Sequence, residues 1–446
     1  MITRRSLVLS AAVFSSGCQN LNQSTNSRLA GHRDGFVRVD GQRFVLGGKS
    51  YRYVGANLWY GAYMGSPGFT GDRPRLLREL DALAALGVTN LRVLGASELS
   101  PLKNSLRPAF RNAAPPYNED LLAGLDFLLA EMNKRGMKAV IFLNNFWEWS
   151  GGMVTYQSWV NGGHYIDMDD PAHPWPAFAD LSAQFYSNKS AIGLYYDYVS
   201  SLIGRTNSVT GVTYRDDPAI MAWQLANEPR PGGSADKAPV EAFYAWIAAT
   251  ADFIKRHDSN HLVSTGSEGL QGCLVQEDCV LRAHRPASID YLTLHIWPLN
   301  WGWIDPKNLA ATWPGCADKA RAYLATHIRL AQALNKPAVV EEFGLPRDGG
   351  IYAPSGTVDF RNQFYRLIFA AVEESARTGG PLAGSNFWGW GGEGRAAHDD
   401  FAMRTGEKNY VGDPPQEPQG RNSVFDSDVT TLDVIRNHAF ALKAVV

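Results

Sequence analysis

Two stretches of this sequence end an apolar run on a carboxylate. One is Met221-Ala222-Trp223-Gln224-Leu225-Ala226-Asn227-Glu228-Pro229-Arg230; the other is Val339-Val340-Glu341-Glu342-Phe343-Gly344. An unpaired charge behind buried apolar residues is costly, so such carboxylates need a partner or a task. Pro229 cannot donate to a sheet ladder, so the strand should stop there and leave Glu228 at its end. Asn227 can offer a side-chain N–H to a bound hydroxyl. In the Glu341-Glu342 pair, strand alternation should send the two side chains to opposite faces, with one reaching the site. Two carboxyls about 5–5.5 Å apart can carry out retaining glycoside hydrolysis: one attacks the anomeric carbon, the other protonates the leaving oxygen and then activates water. The bland alternative for either residue alone is a surface charge or an ion pair. Two such residues, both at strand ends, favour chemistry.

No other constellation competes. The histidines are scattered and form no HExxH-like pattern, so no metal is expected. Gly391-Gly392-Glu393-Gly394 is glycine-rich but lacks the strand–loop–helix context of a phosphate cradle, so no nucleotide or other cofactor is expected. Glu268, in Gly266-Ser267-Glu268-Gly269, ends a further apolar run and is a candidate to touch substrate. Cys273 and Cys279, with five residues between them, are candidates for a small disulfide loop in an oxidising compartment, which leaves Cys316 unpaired. Their spacing suits no zinc site.

These groups need a scaffold that brings strand ends together. Short apolar runs at 53–57, 90–95, 139–144, 220–227, 262–266, 291–296, 338–342 and 384–388 read as strands. Amphipathic helical patterns at 74–86, 119–135, 191–203, 239–255, 317–334, 358–378 and 432–442 alternate with them. Gly87, Gly136 and Gly204 fall where helix C-caps belong. Repeated βα units in this number predict an α/β fold, a single (β/α)8 barrel. Asp40-Gly41, between alternating apolar residues, predicts a small N-terminal hairpin under its floor. The long polar insertions at 97–118, 147–188, 229–238, 297–315, 345–357 and 391–430 all follow strands. In a barrel those are the loops of the C-terminal face, where active sites sit. An open doubly wound sheet is disfavoured because no glycine phosphate loop follows the first strand.

Composition agrees. The chain has 446 residues, 45% hydrophobic and 19% charged, enough for one large core. A net charge of −2 offers no basic excess for a phosphate backbone, so no nucleic-acid partner is expected. Residues 1–17, MITRRSLVLSAAVFSSG, place the basic pair Arg4-Arg5 before an apolar run and small residues, the order of an export signal of twin-arginine type. Ser15-Ser16-Gly17-Cys18 is similar to a bacterial lipobox, although Ser15 stands where Leu is usual. Cys18 is thus a lipidation candidate. Residues 18–35 read as a polar tether and 36–446 as one catalytic domain. The expectation is an exported bacterial protein, periplasmic, envelope-anchored or extracellular. It would be monomeric, and would meet a membrane only through that lipid.

The ordered set Gly55-Ala56-Asn57-Leu58-Trp59, Asn90-Leu91-Arg92, Asn144-Asn145-Phe146-Trp147, Asn227-Glu228-Pro229-Arg230, His295-Ile296-Trp297-Pro298, Glu341-Glu342-Phe343-Gly344 and Phe387-Trp388-Gly389-Trp390 resembles glycoside hydrolase family 5 of clan A, in its β-mannanase and β-mannosidase branch. The resemblance implies Glu228 as acid/base and Glu342 as nucleophile, with Glu341 a structural neighbour. It implies Asn227 at the sugar 2-hydroxyl, Arg92 steadying the nucleophile, His295 beside the acid/base, and Trp388 as the platform under the sugar being cleaved. Trp297 departs from the pattern, because many members have Tyr there touching the nucleophile. Arg230 directly after Asn-Glu-Pro resembles mannanases, where it lines the leaving side. Trp59, Trp147, Trp149, Trp301 and Trp303 are further candidate sugar platforms. The implied activity is cofactor-free retaining hydrolysis of β-1,4-mannosidic bonds in mannans and mannooligosaccharides, as an endo-β-1,4-mannanase. The alternatives are an exo-acting β-mannosidase on the same fold, a β-1,4-glucanase, and a non-catalytic sugar-binding barrel.

Overall fold

The structure, a computed structural model, describes residues 35–236 and 238–445. The leader, the lipobox and Cys18, and all but the last residue of the tether, lie outside the described residues. The first elements are three short antiparallel strands, β1 (Arg38–Asp40), β2 (Arg43–Leu46) and β3 (Lys49–Tyr51), with Gly41 at φ 58° in the β1–β2 turn. Eight strands then form one parallel sheet: β4 (Tyr53–Asn57), β5 (Asn90–Leu94), β6 (Lys138–Phe142), β7 (Ile220–Gln224), β8 (Leu262–Ser264), β9 (Leu292–Ile296), β10 (Ala338–Phe343) and β11 (Leu382–Phe387). β4 pairs with both β5 and β11. The remaining seam, between β8 and β9, is bridged by Ser264 and Tyr291, and the Asp290 amide donates to Val263 O at 2.8 Å. The sheet is therefore a barrel, as the alternation of strand and helix patterns requires.

The helices follow local rules. Asp72 caps the helix Arg73–Ala85 by accepting from the Arg75 amide, and Asn118 caps Glu119–Lys134 through the Leu121 amide. Gly87 (φ 84°) and Gly136 (φ 68°) take the left-handed conformation that ends a helix. Gly204 does not: its φ of −80° is right-handed, so the helix Lys189–Ile203 ends there without needing a glycine. The helix Glu277–His284, between β8 and β9, falls in a stretch that reads as polar loop. It buries only Cys279, Val280, Ala283 and His284, too short a stripe to register as a period. The helices Gly152–Val160 and Ala177–Ala183 sit in the same way inside the insertion after β6.

Two apolar layers result. One lies between strands and helices. The other fills the barrel floor, where Phe44 of β2 packs on Tyr53 at 6.5 Å and edge-on to Tyr291 at 5.3 Å between ring centroids. The N-terminal sheet thus plugs the end of the barrel opposite the site.

Candidate active site

Glu228 follows β7 with φ 48°, a left-handed conformation that costs a non-glycine residue about 1–3 kcal/mol. Its amide donates to Gly266 O at 2.9 Å and the Asn227 amide to Asn144 O at 2.8 Å, so the neighbouring strand ends hold the turn. The turn aims the carboxylate into the barrel mouth. Oε1 accepts from His295 Nδ1 at 2.7 Å and from Trp297 Nε1 at 3.2 Å. Oε2 accepts from Trp147 Nε1 at 2.5 Å. Burial alone would raise the Glu228 pKa. The bond and charge of His295, then the charge of Arg230 and the Trp147 N–H, outweigh it and hold the group below the usual carboxylate range.

Glu342 faces it from β10. Arg92 Nη1 donates to its Oε1, and His295 Nδ1 stands 3.2 Å from its Oε2. The alternation expected of Glu341 and Glu342 does not hold. Pairing with β9 slips between Val340, opposite Leu294, and Glu342, opposite His295. That irregularity turns both carboxylates inward. Glu341 lies beneath the site: Oε1 accepts from the Tyr291 hydroxyl at 3.4 Å, and Oε2 is 3.7 Å from Arg92 Nε. Arg92 is fully buried over the Phe142 ring. It also donates to Gln224 Oε1 (2.7 Å), Asn57 Oδ1 (3.2 Å) and Asn227 Oδ1 (2.8 Å), so each of its three nitrogens is engaged. Burial alone would lower the His295 pKa. The charge of Glu342, the bond to Glu228 and the Glu341 carboxylate 4.0 Å from Nε2 instead raise it well above the usual range, which favours the doubly protonated imidazole.

Glu228, His295 and Glu342 each bring a ligand-type atom within 4.8 Å of the others. A cation there would have to displace the proton that the imidazole shares with two carboxylates, so the trio is read as a proton-bearing relay. An oxygen separation within that distance suits a retaining pair, since inverting pairs stand about 6.5–9.5 Å apart to admit a water.

These groups open onto a cavity of about 640 Å³. Trp388, Trp297, Asn227, Arg230 and Glu268 line it. Arg230 Nε donates to Glu268 Oε2 at 2.6 Å, and its guanidinium lies 4.9 Å over the Trp147 ring. Burial pushes the Glu268 carboxyl up to about 7, against the opposing charge of Arg230. Trp147, Trp149 and Trp301 also reach the cavity, whereas Trp303 packs behind, on Trp301 and Tyr323. Trp59 does not line it, contrary to its reading as a sugar contact. It is buried among Tyr60, Tyr63, Trp149 and Tyr410, and its Nε1 donates to Val411 O (3.1 Å) and Gly412 O (3.2 Å). It anchors the insertion after β11. Trp297 donates to the acid/base candidate, not to Glu342, so the departure at this position moves a hydrogen bond from one carboxylate to the other.

Several lining residues carried no sequence signal. Trp175, 54% exposed, stacks on Trp147 at 6.3 Å. Gln271 comes from the short 3-10 turn Gln271–Cys273 and Asn300 from a loop, and Pro414, Gln416, Glu417 and Arg421 form a wall contributed by the insertion after β11. Burial pushes Glu417 up to about 7, helped by the charge of Asp413 and opposed by Arg421. Cys273 and Cys279 are disulfide-bonded, with Cα atoms 5.5 Å apart, and Cys316 is free and buried.

Two buried carboxylates on facing strands of a barrel, with an imidazole between them, are the equipment for glycoside hydrolysis. Comparison with known proteins makes the class specific. The family model described as GH family 5 beta-mannosidase-like matches residues 34–446, and the chain belongs to glycoside hydrolase family 5. It is 31% identical over 375 residues to mannan endo-1,4-beta-mannosidase 1 of Oryza sativa subsp. japonica, covering 79% of this chain and 78% of the relative. It is 28% identical over 391 residues to mannan endo-1,4-beta-mannosidase 4 of Solanum lycopersicum, covering 85% and 89%. Its structure superposes on the glycoside hydrolase family 5 mannosidase from Rhizomucor miehei with a TM-score of 0.84 at 34% identity, covering 93% and 99%. The two curated relatives named here are plant proteins, so the placement in a bacterial periplasm or envelope is not supported and is set aside.

Proposed function

We propose that this chain hydrolyses β-1,4-mannosidic bonds in mannans and mannooligosaccharides by retaining double displacement, as an endo-acting mannanase. The observation that carries the reading is the facing pair Glu228 and Glu342, with oxygens within 4.8 Å and His295 between them. Glu342 attacks the anomeric carbon while Glu228 gives its proton to the leaving oxygen. The glycosidic C–O bond breaks and a glycosyl ester forms on Glu342. Water then enters, Glu228 takes one of its protons, the water oxygen bonds to the anomeric carbon and the ester opens. Arg92 holds Glu342 in line and, through Asn227 Oδ1, fixes the amide beside the sugar. Asn227 Nδ2 spends one hydrogen on Asn145 Oδ1 at 3.1 Å, which leaves the other for the 2-hydroxyl. Trp388 offers an apolar face under the ring.

Support for mannose as the sugar comes from the plant mannanases and from the family itself. The wall of Pro414, Gln416, Glu417 and Arg421 beside the site is the feature that would turn the same chemistry towards chain ends. Product analysis on mannohexaose tests the whole reading. Mixed oligomers at early times, first released as the β-anomer by NMR, are expected. Mannose alone from the outset would make the enzyme exo-acting, and α-anomeric first products would overturn the mechanism.

A further inference from the structure

The two oxygens of Glu228 are held unequally. Oε1 has two donors from the end of β9 and the residue after it: His295 Nδ1 at 2.7 Å and Trp297 Nε1 at 3.2 Å. Oε2 has one, Trp147 Nε1 at 2.5 Å, from the loop after β6 on the opposite side. A proton on Oε1 would face two N–H groups, so Oε2 is the oxygen that must carry the proton destined for the leaving group. Yet Oε2 already accepts from an N–H, which cannot accept that proton. Trp147 has packing partners of its own. Phe178 stacks on it at 6.1 Å and 4°, Trp175 at 6.3 Å, and the Arg230 guanidinium, paired with Glu268, lies over it.

Resting on Glu228 as the acid/base, we propose that Trp147 is a positioning residue that occupies its working oxygen until a leaving group arrives, and is then exchanged for the glycosidic oxygen. While it donates to Oε2, the indole favours the carboxylate form. In the bound complex that contact is given up and the proton can stay. The other charged or titratable groups facing Glu228 are His295, Glu342 of β10, Arg230 in its own loop, Glu268 beyond β8, and Tyr323. None of them donates to Oε2, so the effect of removing Trp147 is separable from theirs. Trp297 differs in kind, because its N–H sits on the oxygen that does not exchange.

pH profiles on mannotriose test this. The basic limb of kcat/KM reports the free enzyme and that of kcat the bound complex. In Trp147→Phe the kcat/KM limb should move up by about one pH unit while the kcat limb stays put. In Trp297→Phe both limbs should move together. Benzothienylalanine at position 147 keeps the bicyclic ring and removes the N–H, so it carries the test should phenylalanine disturb folding. An unmoved kcat/KM limb, or equal movement of both limbs in the position-147 variants, overturns the proposal. Azide rescue of Glu228→Ala on an activated aryl mannoside separates the premises. If rescue fails, the acid/base reading is wrong; if rescue holds and the limb is unmoved, the exchange alone is wrong.

Discussion

Glu341 and Arg92, buried together beneath the nucleophile candidate, stand 3.7 Å apart, and the same guanidinium reaches Glu342 one residue further on. One cation therefore serves two consecutive carboxylates, which is possible only because the β10 register slips between Val340 and Glu342. Glu341 balances charge in a place no solvent reaches. Glu341→Leu should leave part of the Arg92 and His295 charge unpaired and destabilise the fold by about 3 kcal/mol. The urea midpoint should fall with an unchanged slope. A loss within experimental error would mean that Glu342 alone satisfies the cation.

The two working carboxylates should fail differently. Glu342→Ala cannot form the covalent ester and should lose turnover on every β-mannoside. Glu228→Ala should keep slow turnover on aryl mannosides whose leaving groups need no proton, and azide should restore rate by replacing activated water. Equal losses in both variants on activated substrates, with no effect of azide, would count against the division of labour.

His295 links the site to stability. Burial would lower its pKa on folding, but the charge of Glu342 and the contacts with Glu228 and Glu342 outweigh it and raise the value. The folded state then binds more protons than the unfolded state above about pH 6.5, so stability falls as pH rises. The contribution is complete below that pH and is lost as pH climbs through the raised value. Glu228 has the opposite sign: its lowered pKa gives stability above about pH 4.3 that disappears as pH falls. His295→Gln should flatten the alkaline decline in unfolding free energy measured by urea titration at a series of pH values above about 6.5. An identical slope in both proteins would show that the imidazole is not the group responsible.

The strands were legible because each is an apolar run buried on both faces, and Asn227-Glu228-Pro229 marks a strand end by what proline cannot do. The bulge at Glu341 was not, since register slips arise between strands and leave no mark within one. Trp59 was misread for a similar reason. A tryptophan after a barrel strand can face the cavity or the loops behind it, and only the carbonyls of Val411 and Gly412, more than 350 positions away, decide which. The wall around Glu417 comes from an insertion with no period, so its place could follow only from the fold that carries it. Trp147 was visible as an aromatic, but its N–H contact with Glu228 depends on two loops meeting across the mouth.

Substrate choice must come from the site, because the barrel hosts many chemistries. Mannose and glucose differ in the 2-hydroxyl, axial in one and equatorial in the other. In the proposed complex that group would lie nearest Asn227 and Glu342, and contacts to it would tighten as the ring flattens towards an oxocarbenium-like transition state. Asn227 cannot follow a displaced hydroxyl. Its carbonyl is fixed by Arg92 at 2.8 Å and its amide by Asn145 at 3.1 Å, and it is 2% exposed. A glucoside would leave that amide hydrogen or its own hydroxyl unpaired, at a cost of about 1–3 kcal/mol. We therefore expect kcat/KM on β-1,4-mannooligosaccharides to exceed that on cellooligosaccharides of equal length by at least about tenfold. In Asn227→Ala the discrimination should shrink, because the fixed amide is gone. Comparable rates on both series in the unmodified enzyme would overturn mannose selection at this position while leaving the two-carboxylate mechanism intact.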